Sequence, residues 1–196
     1  MALLFDAWVW WYLGAQSGMD YYTGFMIEKS LSMDNVFVIA LIFSFFAIPR
    51  QYQHRVLFWG ILGVIVLRAI MIGRGATQVS QFSWVLYLFG AFLIFTGIKM
   101  RIIADHVPDI ANNPLLKFLK RHMRVTEGLR GNAFWVRETD TKTGKLERFA
   151  TPLFLALVLV EFVDLIFAVD SVPAIFAITT DPFIVYTSNI FAILGL

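Results

Sequence analysis

The chain has 196 residues, of which 59% are hydrophobic and 15% charged, with a mean hydropathy of +0.71. Charged residues make up about a quarter of ordinary soluble domains, so this composition excludes a soluble domain and predicts a polytopic membrane protein. The absence of cysteine excludes disulfides, thiolate metal sites and cysteine nucleophiles within these residues, and a net charge of +2 gathered between apolar segments fits positive-inside topology and not a nucleic-acid partner.

A membrane helix needs about 20 mostly apolar residues. Measured that way, residues 1–20 read as the end of a preceding span (ALLFDAWVWWYL, 2–13) and an external loop. Residues 21–100 hold three spans: 21–48 with Glu28, Lys29 and Asp34; 56–72 with Arg68; and 82–100, uncharged before Lys99. Residues 101–150 are a basic loop carrying ten Lys and Arg. Within it, Asn113-Pro114 precedes LLKFLKRHMRV, which is apolar and basic at helical spacing and suited to a membrane surface. Phe134–Arg137 and Leu146–Phe149 read as a hairpin turning at Gly144. The simplest reading of the whole loop is a solvated cytoplasmic linker, with partner docking as the alternative. Residues 151–196 hold a span at 152–179 with Glu161, Asp164 and Asp170, then an apolar stretch from Phe183 onward. They are expected to open a second repeat, in a chain that is a fragment of a longer one.

Loop charges set the orientation, because Lys and Arg accumulate on the cytoplasmic side. Arg50 and Arg55 in PRQYQHR and the ten basic residues of 101–150 fall on one side, whereas 14–20 and 179–182 have none and 73–81 has only Arg74. A basic n-region followed by a short apolar core and a small-residue cleavage site is not seen in the opening residues, so a cleaved signal peptide is not expected. His54, His106 and His122 all lie outside the apolar runs, which argues against a soft nitrogen and sulfur metal site in the membrane.

A shift of 136 residues places Glu28 on Asp164, Asp34 on Asp170, Asn35 on Ser171 and Val36 on Val172. Ile61-Leu-Gly63 recurs as Ile193-Leu-Gly195. Three spans start before the pattern returns, so the copies cross the membrane in opposite senses. Inverted repeats of this kind are the usual construction of secondary transporters, with the substrate near the midplane at the repeat interface. The expected fold is therefore an all-α bundle of transmembrane helices with an inverted repeat.

Charge inside a bilayer is costly and marks ion or proton paths by default. Five acids, Glu28, Asp34, Glu161, Asp164 and Asp170, outnumber the two basic partners Arg68 and Lys29, and the surplus calls for a cation or a proton. Carboxylates, the Asn35 amide, the Ser171 hydroxyl and freed backbone carbonyls make an all-oxygen shell suited to hard divalent ions such as Mg²⁺, Ca²⁺ and Mn²⁺. Residues six apart on an unbroken helix lie about 120° apart around its axis. The acids of each pair therefore converge only if the helix unwinds locally, for which Pro173 is the candidate. Glu161 and Asp164, three apart, share a face. Arg68 is expected to pair with an acid, and Lys29 to snorkel toward the interface.

IEKSLSMDNVF (27–37), QHRVLFWGILG (53–63) and VEFVDLIFAVDSVPAIFAIT (160–179), followed by TSNIFAILGL, resemble the TerC family of bacterial integral membrane proteins. The similarity runs from about Tyr22 onward. The family is named for tellurium resistance, its Alx-like members are associated with manganese export, and it is grouped with the LysE-type exporters. The resemblance implies a multi-pass protein of the bacterial inner membrane, with Glu28, Asp34, Asp164 and Asp170 at the acidic positions of the motifs and Glu161 as a further match. It implies efflux of Mn²⁺ as cargo with no resident cofactor, and protons as the candidate coupling ion. Two other classes compete. An intramembrane aspartyl protease would use Asp34 and Asp170, but Gly-x-Gly-Asp and Tyr-Asp contexts are absent and the Glu28/Asp164 pair would be idle. A membrane scaffold would act through the basic loop. A transporter, not an enzyme, is the reading that uses every acid.

Overall fold

A computed structural model of the chain describes residues 1–82, 84–103, 110–139 and 144–195. In order, these form α1 (Ala2–Leu13), α2 (Ala15–Phe45), α3 (Arg50–Gln81), α4 (Trp84–Ile103), α5 (Pro114–His122), the strands β1 (Trp135–Thr139) and β2 (Leu146–Ala150), α6 (Pro152–Phe176) and α7 (Pro182–Leu194). The protein is an all-α membrane protein whose described strands form a single hairpin. The stretch Arg50–Val79 of α3 and the whole of α6 are long and apolar enough to cross a membrane, and Ala2–Leu13, Trp84–Ile98 and Pro182–Leu194 are shorter apolar helices. With 31 residues α2 has ample length, but Asp20, Glu28, Lys29 and Asp34 interrupt its apolar surface.

Gly14 divides α1 from α2 at φ 95°, a conformation that a Cβ disfavours. α3 runs past its predicted span at both ends, whereas α2 starts six residues before its predicted span and stops at Phe45, three residues short of it. Hydropathy marks where a helix meets lipid, whereas the helix itself continues until a breaker stops it, here the left-handed Ala47 and then Pro49 between the two.

The chain folds as two compact units. The first comprises Met1–Val36, Val64–His106 and Asp164–Leu196. Ile72 and Ala76 of α3 pack there against Ala168, Val172, Ile175 and Phe176 of α6 and Val185 of α7. A second cluster joins Val9, Tyr21, Phe25, Ile184 and Ala192. Small residues bring α2 close to α7, since a Cβ on Gly24 would lie 2.9 Å from Ser188 Oγ.

The second unit comprises Phe37–Gly63 and Val107–Val163. Its core is built from Ile42, Phe43, Val56, Leu116, Leu155, Leu159 and neighbours, and the basic segment belongs to it. The solvated-linker reading is therefore corrected for the described residues. Leu116 is buried, and Ile110, Leu115, Leu119, Val125, Leu129 and Phe134 pack on the same core, because α5 presents one apolar face and turns its two lysines and Arg121 outward. The Asn113 side chain accepts a hydrogen bond from the Leu115 amide at 2.9 Å, Pro114 opens the helix, and Lys120, Arg121 and His122 occupy the last turn, where the helix dipole favours cations. Asn113→Ala is expected to cost about 1 kcal/mol, read as faster amide exchange across α5.

The hairpin pairs Trp135 with Ala150 through Thr139 with Leu146, as its two sequence runs predict, with Gly144 at φ 65° at its edge. The turn residues 140–143 and His106 lie outside the described residues. Thr151 Oγ1 donates to the Ala133 carbonyl at 2.7 Å and ties the hairpin to the start of α6. Arg130 pairs with Glu138 of β1, and its hydrogen bond holds the Glu138 carboxyl below its usual range. That contact supports the fold above the ordinary glutamate pKa and is lost as pH falls through the lowered one.

Candidate functional site

Gly24, Glu28, Ser32 and Asn35 recur at helical spacing along α2 and all are buried, so one stripe of the helix turns its polar groups inward. On α6 the same spacing aligns Asp164, Ala168 and Ser171, also buried. Arg68 of α3, fully buried, reaches both stripes. Its Nη1 donates to Glu28 Oε1 at 2.7 Å, and its Nη2 donates to Asp164 Oδ1 at 3.1 Å while Nε donates to Oδ2 at 3.4 Å. The planar guanidinium fork thus grips Asp164 with two bonds and Glu28 with a third.

Asn189 of α7 completes the network. Its Oδ1 accepts from Arg68 Nη1 and its Nδ2 donates to Glu28 Oε2 at 3.1 Å. Ser32 Oγ donates to Glu28 Oε1 at 3.1 Å, and Ser171 Oγ accepts a longer bond from Arg68 at 3.5 Å. Two carboxylates against one guanidinium leave one net negative charge in this buried cluster. Burying ions is tolerable only when each is paired and its remaining polar atoms are bonded, which is what Asn189, Ser32 and Ser171 supply.

Of the acids singled out in the sequence, the structure brings Glu28 and Asp164 together through Arg68. Asp34 lies on the exposed side of α2. Asp170 is half-buried and borders a cavity of about 480 Å³ lined also by Met26, Ser30 and Thr96. The cause is the continuity of the helices. Neither α2 nor α6 unwinds, and α6 runs through Pro173 to Phe176, so residues six apart keep their separation of about 120°. The expected unwinding at Pro173 is thereby corrected: the proline lies in the last turn of α6, where its missing N–H removes one bond without breaking the helix.

Asn35 is buried on the same stripe as Glu28, and its amide oxygen has no hydrogen-bond partner among the described residues. Glu161 packs against Gly63, where its carboxylate fills the space a Cβ would take. Lys29 donates to the Gly195 carbonyl. Among the described residues no three Asp, Glu or His side chains converge closely enough to hold a metal ion, since Arg68 stands between the two acids that come nearest. Ser32 and Asn189 are the members that charge-based reading missed, and Asn189 is the one bonded to both Arg68 and Glu28. The available signal was an amide in the middle of an otherwise apolar helix, which in a membrane segment marks a site as a carboxylate does. Asn189→Leu would strip Arg68 and Glu28 of one bond each, at about 1.5–3 kcal/mol per charged bond. The expected loss of roughly 3 kcal/mol or more would be read from equilibrium unfolding in detergent.

The family model described as "Integral membrane protein TerC family" matches residues 13–196. The Alx proteins of Photorhabdus laumondii and of Escherichia coli K12, for which the given name proposes a membrane-bound redox modulator, are each 52% identical over 204 aligned positions, covering all of this chain and 62% of theirs. A membrane protein of Rickettsia bellii with no assigned role is 50% identical over 196 positions, covering 63% of its length. This chain therefore spans a little over three fifths of the relatives it matches. No solved structure matches it. A match over nearly the whole chain, together with acids and an arginine buried inside apolar helices, places this chain in the integral membrane protein TerC family.

Proposed function

We propose that the chain forms the core of a multi-pass transporter of the bacterial inner membrane that exports a divalent cation, with Mn²⁺ the cargo the family resemblance favours. The observation that carries this reading is the capture of Glu28 and Asp164, mates under the 136-residue shift, by the single Arg68. In the cargo-free state the guanidinium stands in for the cation and keeps two carboxylates from lying bare in a low-dielectric interior. A divalent ion reaching the cluster meets one net negative charge and a set of hard oxygens: Glu28, Asp164, the Asn189 amide oxygen and the Ser32 and Ser171 hydroxyls. It competes with Arg68 for them, and the displaced guanidinium is then the group that returns when the ion leaves. Asp34, Asp170 and Glu161 lie outside that cluster in this conformation and serve the cation at other stages of alternating access, with proton binding to a carboxylate as the release step.

An acid-rich path repels anions, so tellurite is a poor cargo and any tellurium resistance would be indirect. A redox role, proposed in the name of the Alx relatives, would have no thiol within these 196 residues to act through. The test is Mn²⁺ flux in proteoliposomes holding the full-length protein, compared with the doubly neutralised Glu28→Gln/Asp164→Asn variant. Flux in the wild type and none in the variant is expected; equal flux in both would overturn the proposal.

A further inference from the structure

The second unit contains a cavity of about 1190 Å³ whose walls differ in chemistry. Phe45 and Phe46 at the end of α2 and Leu155 at the start of α6 make one wall, and Lys120, Arg121 and Arg124 make the other. From these positions we infer that the cavity binds the phosphodiester headgroup of an anionic membrane phospholipid.

Three observations carry it. First, the apolar wall lies at the ends of α2 and α6, where an apolar helix gives way to polar chain, and Phe45 remains 42% exposed there. Headgroups occupy that level of a bilayer. Second, the three basic side chains are exposed, and among the described residues the cavity sets one acid against them, Glu127, while Arg124 is also paired with Glu147. Among the described residues, Lys120 and Arg121 are therefore the lining cations with charge to spare. Third, α5 is anchored from below by Leu115, Leu116 and Leu119 yet presents Phe118, 55% exposed, beside its lysines and arginine. An aromatic among cations on the outer face of a short amphipathic helix suits the interface between headgroups and acyl chains. A free phosphate would use the basic wall but leave the phenylalanines without a role; a phospholipid uses both.

Native mass spectrometry of the full-length protein, released from micelles doped with phosphatidylglycerol or phosphatidylcholine, reads the binding directly. Wild-type protein is expected to retain phosphatidylglycerol in preference, and to lose it steeply as salt rises. Lys120→Gln with Arg121→Gln should weaken retention about 25-fold, from roughly fivefold for each cation near an anionic headgroup. The charge-keeping exchange Lys120→Arg with Arg121→Lys should restore it, which separates charge from folding. Equal retention of the two lipids, or undiminished phosphatidylglycerol retention in the neutral variant, would overturn the inference. Displacement by millimolar inorganic phosphate alone would also overturn it, by identifying the ligand as free phosphate.

Discussion

Arg68→Met is expected to destabilise the protein by about 3–5 kcal/mol, the cost of breaking a buried ion pair and leaving its partners charged. Arg68 is fully buried and is the cation bonded to both Glu28 and Asp164, so its removal strands two carboxylates, and Asn189 loses the donor it accepts from. Arg68→Lys keeps the charge but has a single ammonium where the guanidinium fork spans two acids; an intermediate loss is expected. Adding Glu28→Gln and Asp164→Asn to Arg68→Met should recover much of the stability, because a cluster without charge no longer needs a counter-ion. Unfolding measured in detergent by a common protocol compares the four proteins. Equal stability of Arg68→Met and wild type would show that the carboxylates are satisfied by something other than Arg68.

Neutralising the acids one at a time is expected to damage transport more than folding. Glu28→Gln or Asp164→Asn takes the cluster from one net negative charge to none, and a divalent cation then meets a balanced pair instead of an attractive site. A loss in Mn²⁺ flux of at least roughly 10- to 100-fold is expected, since removing groups that merely support metal ligands already costs that much. Folding should suffer less, because either variant leaves Arg68 with one carboxylate and the replacement amide can still hydrogen-bond. Flux near wild-type levels in both single variants, with protein of normal stability, would remove these two residues from the proposed cation path.

Much of this arrangement was legible in the sequence. Apolar runs located the helices, and the Asn113-Pro114 pair stood before the basic amphipathic helix, where the Asn113 side chain caps the amide two residues on; the matching Asp181 cap on α7 came only from the structure. The 136-residue shift singled out four acids as one site, and of these Glu28 and Asp164 meet on Arg68, whereas Asp34 and Asp170 do not. The basic segment was misjudged because its lysines and arginines dominate its composition, while its burial depends on a few leucines and aromatics that find a core only when α2, α3 and α6 supply one. Asn189 was missed for a related reason: one amide carries no charge and leaves hydropathy almost unchanged.

The sequence alone determined that the chain is an all-α membrane protein of the TerC family and that its acids are too many for its intramembrane cations, because hydropathy, charge count and motif order are properties of the chain itself. Only the tertiary structure decided which acids share a partner. Helical geometry places Glu28 inward and Asp34 outward whatever their shared motif suggests, and no spacing rule reveals that an arginine 40 residues from one acid and 96 from the other lies within hydrogen-bond reach of both. That contact depends on how α2, α3 and α6 pack, and packing is set by the whole set of buried surfaces and not by any one segment.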